Sequence, residues 1–227
     1  MFIVNKLIDI FAREDTTFFS FLGIFPHFFC YFCIVKVNIH THYPKNNELT
    51  LSTIGIHPYD AEGASTDSIF AIERDVEGYD AIGEIGLDFA CSTNREQQLL
   101  IFQAQLEIAQ KSAKGVVIHC VRAFEAVMDI LKNSTLKFVI FHGFIGSTEQ
   151  AARAAKCGYY LSFGERTFRS PKSIEALKNY PTELLFLETD ESSTDIDQIY
   201  SQVSEILGVT EAILVDITNE NYTKICG

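Results

Sequence analysis

The sequence predicts an α/β fold, a TIM-like (β/α) barrel that is distorted or seven-stranded, with a metal site at the carboxyl ends of the strands. From residue 37 onward, short apolar segments alternate with amphipathic segments, which is the pattern of strand and helix units around a parallel sheet. Several apolar segments are nearly continuous in Val, Ile, Leu and Phe, as expected for strands covered on both faces. Seven such units, with no Gly-rich dinucleotide fingerprint or phosphate loop, favour a barrel over an open doubly wound sheet.

The predicted helices are recognised by the spacing of their apolar residues. In segment 95–113, Leu99, Phe102 and Leu106 recur every three or four residues and form one apolar stripe. Ser147 and Ser170 stand where two further helices are expected to begin. Strands are predicted at 37–42, 53–58, 81–88, 115–120, 138–143, 159–164 and 184–190, and the remaining helices at 123–132, 148–156, 171–178 and 195–207.

Composition limits the classes of partner. The 227 residues include 30 acidic and 18 basic side chains, so the net charge of −12 gives no overall attraction to nucleic acid or to an anionic membrane. Any phosphate binding must therefore be local. Six cysteines are too few for a disulfide scaffold in a chain of this length, and they predict a reducing, cytoplasmic location.

The first 36 residues have a different composition from the rest. They contain nine of the 19 phenylalanines, and no charged side chain occurs from 16 to 35. We expect this hydrophobic segment to lie upstream of the natural start or to be disordered. In the first case, translation would begin at Val35, encoded by a valine-type start codon. A membrane segment is the alternative, but Pro26 and the mixed charges before it make membrane insertion the weaker interpretation. The functional domain is then 37–227.

Histidines and carboxylates gather at the carboxyl ends of the predicted strands. In a parallel barrel these ends form the face where active sites are built, so residues distant in sequence are expected to converge there. His40 and His42 flank a single residue, which points both imidazoles to the same side of a strand. The other members of this set are His57, Glu84, Asp88, His119, His142, Glu188 and Asp190.

Such donors indicate a metal centre. Imidazole and carboxylate ligands together select zinc, manganese, iron or magnesium. Glu84 and Asp88 are four residues apart on one strand and share a side, and a two-metal centre needs a bridging carboxylate. Glu84 is the better bridge because nearby glycines leave room for close approach. Asp88 is expected either to support a ligand from behind or to cap the following loop.

These residues resemble the TatD family of metal-dependent deoxyribonucleases, within the amidohydrolase-type barrels. The resemblance implies a hydrolase with two divalent ions per chain, zinc, magnesium or manganese, and a metal-activated water that cleaves phosphodiester bonds at DNA ends. Asp190 would act as the general base, and Glu84 would lie between the ions. The matching stretches occur in family order at 38–42, 55–58, 81–89, 117–120, 141–146, 160–164 and 187–190. The implied ligands are His40, His42 and Asp190 on one ion, His119 and His142 on the other, and Glu84 on both.

Substrate contacts are predicted around this centre. His57 resembles the family's Gly-x-His-Pro histidine and is expected to bind substrate. Arg166 and Arg169 follow the sixth predicted strand and are candidate phosphate contacts. DNA or an oligonucleotide is the expected partner, with no stable protein partner and no membrane association.

The sequence also departs from the family pattern. The stretch 43–53 is short, Arg122 is displaced by one position, the tail after 195 is compact, and segment 191–195 brings acidic residues close to the site. These departures keep two alternatives open. One is hydrolysis of another ester, a lactone or an amide at the same metal site, and the other is a non-catalytic metal-binding protein.

Overall fold

The computed structural model describes residues 35–227, which form parallel strands connected by helices. Two short strands, β1 (Lys36–Val37) and β2 (Glu48–Leu49), pair in parallel. Six more form a parallel sheet in the order of the chain. They are β3 (Thr53–Ile54), β4 (Ala81–Asp88), β5 (Gly115–Val121), β6 (Val139–Phe141), β7 (Tyr160–Phe163) and β8 (Leu185–Leu187).

Backbone hydrogen bonds connect the two sheets. The amide of Ile39 donates to Leu187 O (3.0 Å), and the amide of Asp190 donates to His40 O (3.1 Å), so the end of β8 lies against the segment after β1. Strands β2 and β3 follow each other along the chain and are separated by residues 50–52. The predicted barrel of the TIM-like class is confirmed.

Helices alternate with the strands in the order that the sequence predicts. The Ser147 side chain accepts a hydrogen bond from the amide of Gln150, and that of Ser170 accepts one from Ser173, so both serines cap helices as expected. Two helices, α1 and α7, were not predicted. The helices are α1 (Thr66–Asp75), α2 (Arg95–Lys111), α3 (Phe124–Leu131), α4 (Thr148–Lys156), α5 (Pro171–Lys178), α6 (Ile196–Leu207) and α7 (Glu211–Cys226).

Successive side chains along the strands belong alternately to two apolar clusters, and the side chains of one cluster lie on the same side of the strands as the site histidines. On β5, Val117 belongs to the smaller cluster, whereas Val116 and Ile118 belong to the larger cluster with the helices. Two residues beyond Val117, on the same side of the strand, comes His119. In the same way, His142, directly after β6, comes two residues beyond Ile140 of the smaller cluster. Apolar side chains thus fill one end of the barrel interior, and polar site residues fill the other.

Gly86 allows β4 and β5 to approach closely beside the site. Its φ is +139°, and a Cβ built there would lie 2.1 Å from the carbonyl oxygen of His119. We expect Gly86→Ala to lower the free energy of unfolding by about 2 kcal/mol or more, because it adds both backbone strain and a backbone clash. Urea unfolding measures this loss. Gly63→Ala is the matched control, since its Cβ would meet no atom within 4 Å; equal losses in the two variants would contradict the packing argument.

Within residues 35–227, no helix is both long and apolar enough to cross a membrane. Residues 1–34 of the hydrophobic amino-terminal segment lie outside the described part of the chain, and the expectations for this segment concern mainly these residues. They stay predictions, as does the cytoplasmic location.

Candidate active site

Glu84 lies at the centre of the convergent histidines. It lies within a register shift in the pairing of β4 with β5, between Ile82 and Ile85. Its Oε1 lies 2.9 Å from His40 Nε2 and 3.0 Å from His42 Nε2. His40 and His42 therefore face the same oxygen of the Glu84 carboxylate.

The other oxygen of Glu84 faces a second pair of histidines. Oε2 lies 2.8 Å from His142 Nε2 and 3.7 Å from His119 Nδ1, and these two ring nitrogens are 3.2 Å apart. His57 Nε2 lies farther away, 3.9 Å from the same oxygen. All five histidines of the described chain thus surround Glu84.

Asp190 completes the first group. Its Oδ1 is 3.6 Å from His42 Nε2 and 3.8 Å from His40 Nε2. The residue adopts a positive φ of 53°, and its amide and carbonyl both bond to the backbone beside these histidines, at His40 O and His42 N. The structure thereby brings together every residue that the sequence predicts as a metal ligand.

Asp88 supports His119 from behind. Its Oδ2 lies 3.1 Å from His119 Nε2, while its Oδ1 accepts hydrogen bonds from the amides of Ala90 (2.7 Å) and Cys91 (3.0 Å). Both roles considered for Asp88 from the sequence are therefore present. An Nε2–H donated to Asp88 leaves the Nδ1 lone pair of His119 directed at the centre.

Glu188 occupies the equivalent position behind His142, and the sequence analysis gave it no role. This buried carboxylate lies 3.6 Å from His142 Nδ1 and accepts a hydrogen bond from Ser162 Oγ at 2.5 Å. Its position two residues before Asp190, at the end of a buried strand, was the available signal.

The electrostatics follow from burial among opposite charges. Burial raises the pKa of Glu84, but hydrogen bonds from the surrounding histidines, led by His119, outweigh it and hold the pKa far below its usual range. Burial also lowers the pKa of His142, but Glu188 and Glu84 reverse that effect and raise it to about 10. Asp190 has a raised pKa, caused first by burial and then by the charge of Glu188.

His57 has a lowered pKa. Burial, and then the charge of His119, lower the pKa of His57 to about 4, so its ring is neutral near pH 7. Its Nδ1 accepts the amide of Tyr59 at 3.2 Å. The other ring nitrogen is therefore the one that carries a proton and points toward Glu84.

The donor set fits divalent metal ions. Three groups of side chains bring potential ligand atoms within 4.8 Å of one another. The buried Nε2 of His40 makes no hydrogen bond of good geometry despite its approach to Glu84, as expected of a nitrogen whose lone pair serves a metal. The groups are His40, His42, Glu84 and Asp190; His57, Glu84 and His119; and His142, Glu188 and Asp190.

The Asp88–His119 contact gives a testable prediction. In Asp88→Asn, the amide oxygen has to accept the Ala90 and Cys91 amides, which leaves the NH₂ group facing His119 Nε2 and favours the wrong imidazole tautomer. We expect metal affinity to fall about 10- to 100-fold with the fold retained. Calorimetric titration with Mn²⁺ measures the affinity. Asp216→Asn, which changes an exposed carboxylate on α7, is the control. Unchanged affinity in Asp88→Asn would exclude this orienting role.

The predicted phosphate contacts lie at the rim of the site. The guanidinium of Arg166 is 4.0 Å from Asp190 Oδ2, and its side chain is 65% exposed. Arg169 is paired with Glu165. Both arginines line a cavity of about 240 Å³ that also contains Asp190 and Glu191. Arg122 lies apart from them, in a neighbouring cavity of about 470 Å³ that reaches His142.

The barrel and the ligand atoms gathered at one end of it define a metal-dependent hydrolase. The family model described as TatD related DNase matches residues 34–227. The chain belongs to this family, and it is a hydrolase that acts on ester bonds. The resemblance noted in the sequence is thereby confirmed, and divalent metal ions are the cofactors that the family and the clusters support.

Individual relatives agree with this assignment. The chain is 29% identical to the uncharacterized metal-dependent hydrolase YabD of Bacillus subtilis (strain 168), over 77% of this chain and 76% of that protein. It is 37% identical to the 3'-5' ssDNA/RNA exonuclease TatD of Salmonella typhimurium, over 61% of this chain and 56% of that protein. The crystal structure of the TatD homologue YjjV from Escherichia coli K12 shares the fold, with a TM-score of 0.72 at 23% identity, covering 78% of this chain and 76% of that one.

Proposed function

We propose that this protein is a deoxyribonuclease that uses two divalent metal ions to cleave phosphodiester bonds at DNA ends. One observation carries the proposal. The two oxygens of Glu84 face different histidine pairs, His40 with His42 and His119 with His142. A carboxylate in this position can hold two ions close together, and such a pair suits in-line displacement at phosphorus.

The chain's own residues define how the two ions would be held. His40, His42 and Asp190 would bind one ion, His119 and His142 the other, with Glu84 shared between them. When bound, divalent ions supply Lewis-acid charge that lowers the pKa of a coordinated water and neutralises negative charge on a phosphate. Zinc, magnesium and manganese all suit this mixture of imidazole and carboxylate donors.

Asp190 is the proposed general base. Its carboxylate lies within 4 Å of the ring nitrogens of both His40 and His42, beside the position proposed for the first ion. The guanidinium of Arg166 lies 4.0 Å from Asp190 Oδ2. The neutral ring of His57 and the exposed guanidinium of Arg166 would orient the substrate phosphate, and Arg169 would assist if released from Glu165.

A second candidate reaction is favoured by the charges beside the arginines. Glu165 pairs with Arg169, and Glu191 lines the same cavity, so this side of the site offers little net attraction to a long polyanion. Hydrolysis of a neutral ester, lactone or amide would tolerate these carboxylates. The same charges favour short oligonucleotides over long duplexes in the leading proposal.

A substrate panel separates these functions. The full chain is loaded separately with Mg²⁺, Mn²⁺ and Zn²⁺ and tested on linear and circular single-stranded DNA, bis-p-nitrophenyl phosphate, a lactone and an aryl ester. We expect metal-dependent shortening of linear DNA, with circular DNA left intact because it has no end. Cleavage of the carbon esters alone would replace the nuclease proposal with the second reaction. No metal binding and no turnover would favour a non-catalytic protein.

A further inference from the structure

Tyr59 is an exposed aromatic side chain held against the histidines of the site. It is 57% exposed, yet its ring centroid lies 4.4 Å from that of His57 and 5.9 Å from that of His119, both in edge-to-face geometry. A single exposed aromatic ring is common on a protein surface, but this ring is held against two histidines of the site. The open part of the ring is therefore available beside the second pair of histidines.

The position of Tyr59 is fixed by its neighbours. Its amide donates to His57 Nδ1 (3.2 Å), and its carbonyl accepts a hydrogen bond from Thr93 Oγ1 (3.2 Å). Burial raises the pKa of the Tyr59 hydroxyl, and the nearby charge of Asp88 raises it further. A ring restrained by its backbone and by its contacts with two histidine rings loses little conformational freedom when a ligand binds.

Two cations near the site are paired with carboxylates, which reduces what they can contribute to binding a substrate phosphate. Arg169 is paired with Glu165, and Lys45 contacts both Asp195 (2.5 Å) and Glu48 (3.7 Å). These two cations are thus already paired with carboxylates, in a chain of net charge −12. Base stacking needs no cation and works on any nucleobase.

We propose that Tyr59 is a stacking platform for a nucleobase next to the scissile phosphodiester. This inference rests on the proposed nuclease function and specifies how that site holds its substrate. The ring would position the nucleotide while leaving the phosphate to the centre around Glu84. Recognition would be independent of sequence, since every base offers a face of this kind.

The test compares substrates with and without bases. Binding to a metal-loaded Asp190→Asn background is measured by fluorescence anisotropy, using a short single strand with a distal dye and an abasic strand of the same length. We expect Tyr59→Ala to weaken binding of the normal strand about five- to a hundred-fold and to leave binding of the abasic strand unchanged. Tyr59→Phe is expected to recover most of the loss, because it keeps the ring. In the otherwise wild-type chain, the loss should raise KM more than it lowers kcat.

A matched control and the contrary outcomes make the test decisive. Phe70→Ala removes a ring of similar exposure (59%) from α1 and is expected to leave DNA binding unchanged. If Tyr59→Ala weakens both strands equally, or neither, the stacking role is wrong while DNA cleavage by the wild-type chain still supports the nuclease proposal. If the wild-type chain cleaves no nucleic acid in any metal, both proposals fall together.

Discussion

Asp190→Asn is expected to lower the rate of metal-dependent hydrolysis about 10²- to 10⁴-fold, the usual contribution of a positioned general base. An amide has nearly the shape of the carboxylate but does not accept a proton at neutral pH. Asparagine also tolerates positive φ better than most residues, so the backbone at φ 53° should be retained. The two backbone hydrogen bonds to the segment of His40 and His42 do not involve the side chain.

Rate, fold and metal content are measured together for this variant. Initial rates on linear single-stranded DNA are compared with circular dichroism and with elemental analysis of bound metal. Asp216→Asn, an exposed carboxylate on α7, is the control for the change of charge and should keep wild-type turnover. Wild-type turnover by Asp190→Asn itself would remove Asp190 from the base role.

The double substitution His40→Ala and His42→Ala is expected to abolish hydrolysis and to remove at least one ion per chain. Both imidazoles face Oε1 of Glu84 at 2.9 and 3.0 Å, so losing them removes two of the four donors of the first group. The remaining carboxylates do not make a strong site for zinc or manganese at neutral pH by themselves. The buried Glu84 also loses partners that compensate its charge.

Metal content after dialysis against a defined Mn²⁺ or Zn²⁺ buffer measures this effect. His57→Ala is the informative comparison, because His57 lies 3.9 Å from Glu84 Oε2 and is proposed to contact substrate. We expect His57→Ala to keep both ions and the double variant to lose one or both. Two ions per chain in the double variant would contradict the proposed ligands.

The sequence predicted the alternation of strands and helices well because burial on both faces of the strands leaves continuous apolar segments. Helices α4 and α5 have the predicted bounds, since a serine cap fixes each amino end. Strand β2 was missed because Glu48–Leu49 is short and only partly buried, which gives no apolar segment. The predicted strand at 53–58 is shorter than expected, because Pro58 begins a 3-10 helix, Pro58–Gly63.

The convergence of the histidines was predictable, because side chains two residues apart on a strand point to the same side. His119 therefore lies on the side of β5 that Val117 occupies. The carboxylates that contact the histidine rings on the side away from Glu84 were harder to predict. Glu188 reaches His142 through a side-chain orientation that no spacing reveals, and Asp88 serves His119 and a loop at once. The pairing of Arg169 with Glu165 depends on rim geometry, and it weakens the predicted phosphate contact.

The central claim is that the Glu84 carboxylate joins two metal positions. Anomalous diffraction from crystals of the metal-loaded chain, collected at the Mn or Zn edge, tests it directly. We expect two peaks, each about 2.0–2.2 Å from a different oxygen of Glu84, one beside His40 and His42 and the other beside His119 and His142. A single peak, or peaks that do not contact Glu84, would contradict the account.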